Sequence, residues 1–143
     1  MTYQTINEAV QEILDPMIAV WSPLGHPVAW PDVKDDNIPP ADASIPWSRV
    51  TLIHADGGQT TLACVNGVRR WEYAGVLMIQ VFAPMGDGNT LTYALAQLVA
   101  NAYKKAKPPG GAWFRNHRIR NAGNSGPYSQ VNFTLDFQYE QLI

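Results

Sequence analysis

Cysteine is all but absent from this 143-residue chain, where Cys64 stands alone. A single thiol excludes an internal disulfide and any multi-cysteine metal site, and it suits a reducing compartment. No apolar run reaches the roughly 18 residues of a membrane-spanning helix, so no membrane partner is expected. The opening residues, MTYQTINEAVQEIL, are acidic and lack the basic start of a secretory signal. Histidine is sparse as well. His26, His54 and His117 fall in separate segments without ligand-like spacing, so no metal is expected. The G-x-x-x-x-G-K-[ST] and G-x-S-x-G patterns are missing too, which leaves phosphate-loop and serine-nucleophile chemistry without a signature. No cofactor or catalytic residue is proposed from the sequence, and Cys64, in an apolar stretch, reads as an inert buried thiol.

Charged residues are few, at 15%, yet they are unevenly placed. The first 56 residues hold eight acidic groups and only Lys34 and Arg49 as cations. Residues 104–120 hold six of the ten Lys and Arg and no acid. If these poles stay apart in space, the chain suits head-to-tail association; if the fold interleaves them, it does not. Five Trp and six Tyr serve cores and partner surfaces alike.

The length suits one domain, residues 1–143, with a single sizeable core. Thr5 and Glu8 form a T-x-x-E capping box, and Val10, Ile13, Leu14 and Met17 give the helix of about 5–16 its apolar stripe. Pro16 is expected to end or kink that helix near Asp15, leaving 18–21 extended. A turn at 22–27 and a strand at 28–30 follow. Residues 31–46, with four prolines, read as a surface excursion. Residues 47–54 read as a strand, Asp56-Gly57-Gly58 as its hairpin turn, 59–65 as the returning strand and Asn66-Gly67 as a second turn.

The run 76–82 is apolar almost throughout, so it needs cover on both faces, from its own chain or from a neighbour. Gly75, Gly86, Asp87, Gly88 and Asn89 supply turn and helix-cap chemistry around it, with Asn89 or Asp87 capping a helix of about 89–107. Asp87 sits where a phosphate would, which favours the structural reading. Leu91, Leu95, Leu98, Val99 and Ala102 mark that helix's expected buried face. Strands 112–120 and 128–139 flank a polar loop at 121–127, and the second alternates with a period of two. The fold class is therefore α+β: one domain with a mostly antiparallel or mixed sheet of about five to six strands and two main helices.

The basic run 113–120 mixes cations with aromatics. Strict alternation puts Arg118 and Arg120 on one strand face with Asn116, and Arg115 and Ile119 on the other. Nucleic-acid contact stands against contact with acidic groups of a neighbour or plain surface, and the same alternatives hold for Arg69 and Arg70.

The order of segments resembles a known family. It comprises an N-terminal helix, a V-A-W-P-D strand, a Pro-rich excursion, W-S-R-V, then G-V-R-R-W-E-Y-A-G-V-L-M-I-Q-V-F-A-P-M-G-D-G-N and an alternating C-terminal strand. Over Trp30 to about Tyr139 it resembles the tail terminator, or tail completion, proteins of long-tailed bacteriophages. The resemblance implies a structural virion protein without catalysis: a hexameric ring at the head-proximal end of the tail tube that stops tube polymerisation. Its implied partners are other copies of itself, the tail tube protein and the head–tail connector. A passing contact with DNA in the lumen stays open, as does a connector or minor tail protein touching DNA through Arg115, Arg118 and Arg120. Asp32, Asp35, Asp36, Asp42, Arg69, Arg70, Arg115, Arg118, Arg120 and Asn124 are the candidate contact residues. The implied location is the neck–tail junction of the virion, and host cytoplasm before assembly.

Overall fold

The computed structural model describes residues 2–31, 38–40, 42–59, 69–86 and 89–142, the Gln59 side chain excepted. Asp32, Asp35, Asp36, Cys64, Asn66-Gly67, Asp87 and Gly88 lie outside them, as does most of the strand expected at 59–65. Gln59 itself closes β2. Two helices, α1 (Ile6–Trp21) and α2 (Thr90–Lys105), pack on a five-stranded sheet of β1 (Val28–Ala29), β2 (Trp47–Gln59), β3 (Arg70–Pro84), β4 (Trp113–Ser125) and β5 (Tyr128–Leu142). The spatial order is β1-β2-β3-β5-β4, with β1 parallel to β2 and every other pairing antiparallel. The sheet is thus mixed, in an α+β fold.

Helix α1 begins at the expected cap, where the Glu8 N–H donates to Thr5 Oγ1 at 3.1 Å. The Glu8 carboxylate reaches back to the Gln4 N–H at 3.1 Å, one residue earlier than a capping box requires. Pro16 does not end this helix, which runs on to Trp21 and takes in the stretch 18–21 expected to be extended. Ala9, Ile13, Met17 and Trp21 are buried at four-residue spacing. Their burial outweighs the one backbone bond that a proline removes.

The sheet's inner face carries the core. Leu77, Ile79 and Val81 of β3 and Val131, Phe133, Leu135, Phe137 and Tyr139 of β5 are buried beneath the helices. Helix α2 presents Leu95, Ala96, Val99, Ala100 and Tyr103 to them. Leu91 and Leu98, expected on that buried face, are instead 47% and 44% exposed. The helix rotates so that its small residues meet the sheet closely. It ends at Lys105, two residues short of expectation.

Tyr3 locks the layers together. Its backbone bridges β5 through Glu140 O and the Leu142 N–H, its hydroxyl donates to the Glu12 carboxylate, and it accepts from the Ala112 N–H at 3.0 Å. Burial first, then the neighbouring Glu12 carboxylate, pushes its pKa above the ordinary phenol value.

Three further expectations fail for one reason, which is cross-strand pairing. Asp56-Gly57-Gly58 is not a turn: the three pair with Ala74, Tyr73 and Glu72, so β2 continues to Gln59 past a bulge at Ala55. Gly75 is likewise no turn residue but a mid-strand position opposite His54 and Phe137. Residues 121–125, expected as loop, extend β4 against β5, and the reversal falls at Gly126-Pro127.

Candidate functional site

The sheet's outer face is where the candidate residues gather. Alternation from the buried set places Val76, Met78 and Gln80 of β3 and Asn132, Thr134 and Asp136 of β5 on it. Register sets Arg49, Thr51 and Ile53 of β2 beside the first group. On β4, Arg115 stands opposite Asp136, Arg118 opposite Thr134 and Arg120 opposite Asn132. All three arginines therefore share the outer face, contrary to strict alternation. The cause is a bulge between Arg115 and Arg118, where Asn116 takes a left-handed conformation with φ 56°. One extra residue in the strand resets the alternation, and asparagine tolerates that backbone better than most side chains.

The electrostatics centre on Asp136. It accepts from the Asn116 amide at 2.7 Å and pairs with Arg118 at 3.3 Å. The Asn116 bond first, then the Arg118 and Arg115 charges, hold its carboxyl below the usual range. Arg118 also donates through Nε to Thr134 Oγ1 at 3.1 Å. Arg115 stacks over the Trp113 ring at 5.0 Å. Val76, Met78, Arg118, Arg120, Asn132 and Thr134 enclose a hollow of about 340 Å³.

Among the described residues, the face is covered by its own chain at one end. Trp47 and Phe82 stack with centroids 4.1 Å apart, Tyr128 meets both edge-on, and Ile38 from the Pro-rich excursion packs on this cluster. Arg49 lies over the Trp47 ring at 5.3 Å. The chain thus supplies the expected second cover for Phe82 and leaves Val76 and Met78 half-buried.

The other candidates lie apart. Arg70 pairs with Glu140 at 3.4 Å at the far end of β3, and Arg69 is exposed just before it. Asn124 is exposed at the β4–β5 hairpin end. Exposed Asp42 caps its own turn, accepting from the Ser44 N–H and hydroxyl, which lowers its pKa. Gly86 lies in a bend with φ 153°, and Asn89 holds the α2 cap position without a side-chain bond. Among the described residues, no group of three or more His, Cys, Asp or Glu is placed to hold a metal.

Sequence reasoning missed Arg49, Asp136 and Trp47 as parts of this face. Arg49 and Trp47 stand in the W-S-R-V segment, but only the register brings them beside β3.

The family model of the phage tail terminator proteins matches residues 5–125, from the cap of α1 to the end of β4. The chain belongs to that family. Membership makes it a structural tail-terminating protein of bacteriophage. The match takes in α1, the first segment of that order, and stops short of β5. No curated protein matches this family member. One solved chain, known by an identifier alone, shares its fold with TM-score 0.60 and 18% identity, over 90% of this chain and 94% of the other. Another is the sheath/tube terminator of an extracellular contractile injection system, PVC, in the extended state. It gives TM-score 0.53 and 10% identity over 100% of this chain and 58% of that one. At such identities the likeness is one of fold.

Proposed function

We propose that the protein caps the head-proximal end of the phage tail tube as a ring, ends tube polymerisation and forms the joint to the head connector. The family match over residues 5–125 carries this reading. A subunit whose outer sheet face is covered by its own chain, among the described residues, at one end is suited to it. The copy number in this reading is six. The tail tube protein and the connector are the partners, through Asp32, Asp35, Asp36 and Asp42 of the excursion and Asn124 of the hairpin end. The role is non-enzymatic, and the protein resides at the neck–tail junction after assembly in the host cytoplasm. Its fold-mate in the contractile injection system is a tube terminator by description, which accords with the proposal.

Negative-stain microscopy of the protein with purified tail tubes tests it. Rings seated on one tube end and shortened tubes are expected. Tubes that elongate without caps in the presence of excess protein would reject it.

One observation favours a second role for the outer face, a contact with DNA. The Asn116 bulge aligns Arg115, Arg118 and Arg120 on one surface, as a track for a phosphate backbone requires. A salt-dependent gel shift that disappears when all three become Ala is expected. Absence of a shift at low salt rejects it.

A further inference from the structure

The two ends of the sheet differ in charge and in shape. At one end β1 pairs with only Ser48 and Arg49, and from Val50 to His54 no described residue pairs with the outer edge of β2. A groove of about 560 Å³ runs along that edge. Its walls are Val10, Leu14 and Ile18 of α1 and Trp30, and its floor includes Leu52 and His54. Helix α1 brings Glu8, Glu12 and Asp15 and no Lys or Arg. At the opposite end lies β4, thirteen residues long, hydrogen-bonded to β5 alone among the described strands. It carries Arg115, Arg118 and Arg120 and no acid. Ile119 stands opposite Phe133, so it points to the helix side of the sheet, and it is 37% exposed.

We infer that copies of this chain join head to tail, the basic β4 edge of one seating along the open β2 edge of the next. Long unpaired edges are templates for strand addition, and most folds blunt them. Strand direction fits. Three successive antiparallel pairings separate β2 from β4, so β4 runs opposite to β2. A rotation about an axis near the strand direction keeps that relation, and the neighbour's β4 adds as an antiparallel strand. Sidedness fits too: Ile119 then faces the neighbour's α1–β2 groove, while the three arginines stay on the outer face. The groove that Ile119 enters is apolar, walled by Val10, Leu14 and Ile18, whereas Glu12 and Asp15 of α1 line the separate groove against α2. A contact of this heterologous kind closes into a ring when its rotation divides a full turn.

The inference rests on the ring reading, and its test separates the two. Cys64 is replaced by Ser, and Gln11→Cys on the exposed side of α1 is combined with Ile119→Cys. Incubation with a flexible bis-maleimide on tail tubes should give a covalent ladder. A mixture of the two single-cysteine proteins should give only dimers, and neither alone should cross-link. Ile119→Asp, checked for native circular dichroism, should weaken self-association about tenfold or more, since it places a charge in an apolar groove. Caps seen by microscopy without a ladder, and with Ile119→Asp assembling normally, would overturn the edge contact and leave the ring standing. If the unmodified protein forms no caps, the ring reading falls, and the edge contact falls with it.

Discussion

The Asn116 side-chain amide donates to Asp136 Oδ2 at 2.7 Å, across the bulge that Asn116 itself creates. One residue thus supplies the left-handed backbone and the bond that holds it against β5. Without the bulge, alternation would send Arg118 and Arg120 to the opposite face from Arg115.

Asn116→Val should therefore destabilise the fold by about 1–2 kcal/mol, because a β-branched residue resists φ 56°. Asn116→Gly keeps the backbone and loses the bond. In that variant Asp136 should titrate closer to an ordinary carboxylate, since the Asn116 bond is the first cause of its lowered pKa. Urea unfolding and an NMR titration of Asp136 read the two effects. Equal stability of the Val and Gly variants would show that the bulge does not depend on this conformation.

Acid sensitivity should begin near neutrality. Burial lowers the pKa of His54, whose Nε2 lies 2.6 Å from the Tyr139 hydroxyl, and burial with the Lys104 charge lowers that of His117. The unfolded chain then binds protons that the folded chain refuses. Stability is complete above the ordinary imidazole value of 6.5 and is lost as pH falls from there through the depressed folded values. The carboxylates of Asp136 and Asp42 add losses of the same sign at lower pH. Urea midpoints across mildly acidic pH should decline, and the double variant His54→Gln, His117→Gln should flatten that slope. An unchanged slope in the double variant would assign the loss to other groups.

What could be read from the sequence was whatever depends on near neighbours in the chain. The Thr5 cap and the two-residue period of β5 are local patterns, and both stand in the structure. Pro16, Asp56-Gly57-Gly58 and residues 121–125 read as breaks because their composition is that of breaks. Each is overridden by contacts with residues distant in sequence: the buried face of α1, the 72–74 stretch of β3, and Tyr128 to Val131 of β5. The basic run was recognisable as a candidate surface. Which face its arginines share was not, since a bulge leaves no periodic signature and Asp136 enters only through strand pairing. The charge poles were visible too. Their separation across the sheet follows from the order β1-β2-β3-β5-β4, which no single segment encodes. Between the helices the poles do approach, with Glu12, Asp15 and Lys107 around one groove.

Pro16→Ala should stabilise the protein by about 1–3 kcal/mol. The proline lies in the middle of α1, has no N–H to donate to the Glu12 carbonyl and is only half-buried. Alanine restores that bond without enlarging the side chain. A thermal or urea unfolding curve reads the gain. A loss instead would mean that the ring's packing in the groove beside Ala102 and Pro108 matters more than the backbone bond.

Gly75→Ala should do the reverse, at a position where the neighbours cannot give way. An added Cβ would fall on the Ile53 carbonyl oxygen and against the Phe137 ring. The first is backbone next to the His54–Asp56 bulge, and the second belongs to the buried core. Relief needs β2 to move away from β3, which disturbs the open β2 edge as well. Overpacking of this kind costs about 1–3 kcal/mol. Gly58→Ala is the matched control in the same hairpin, because nothing lies within 4 Å of its added Cβ. It should be neutral, while Gly75→Ala lowers the urea midpoint. Comparable midpoints for the two variants would mean that the β2 bulge yields at little cost, and that the β2 edge is softer than its pairing with β3 indicates.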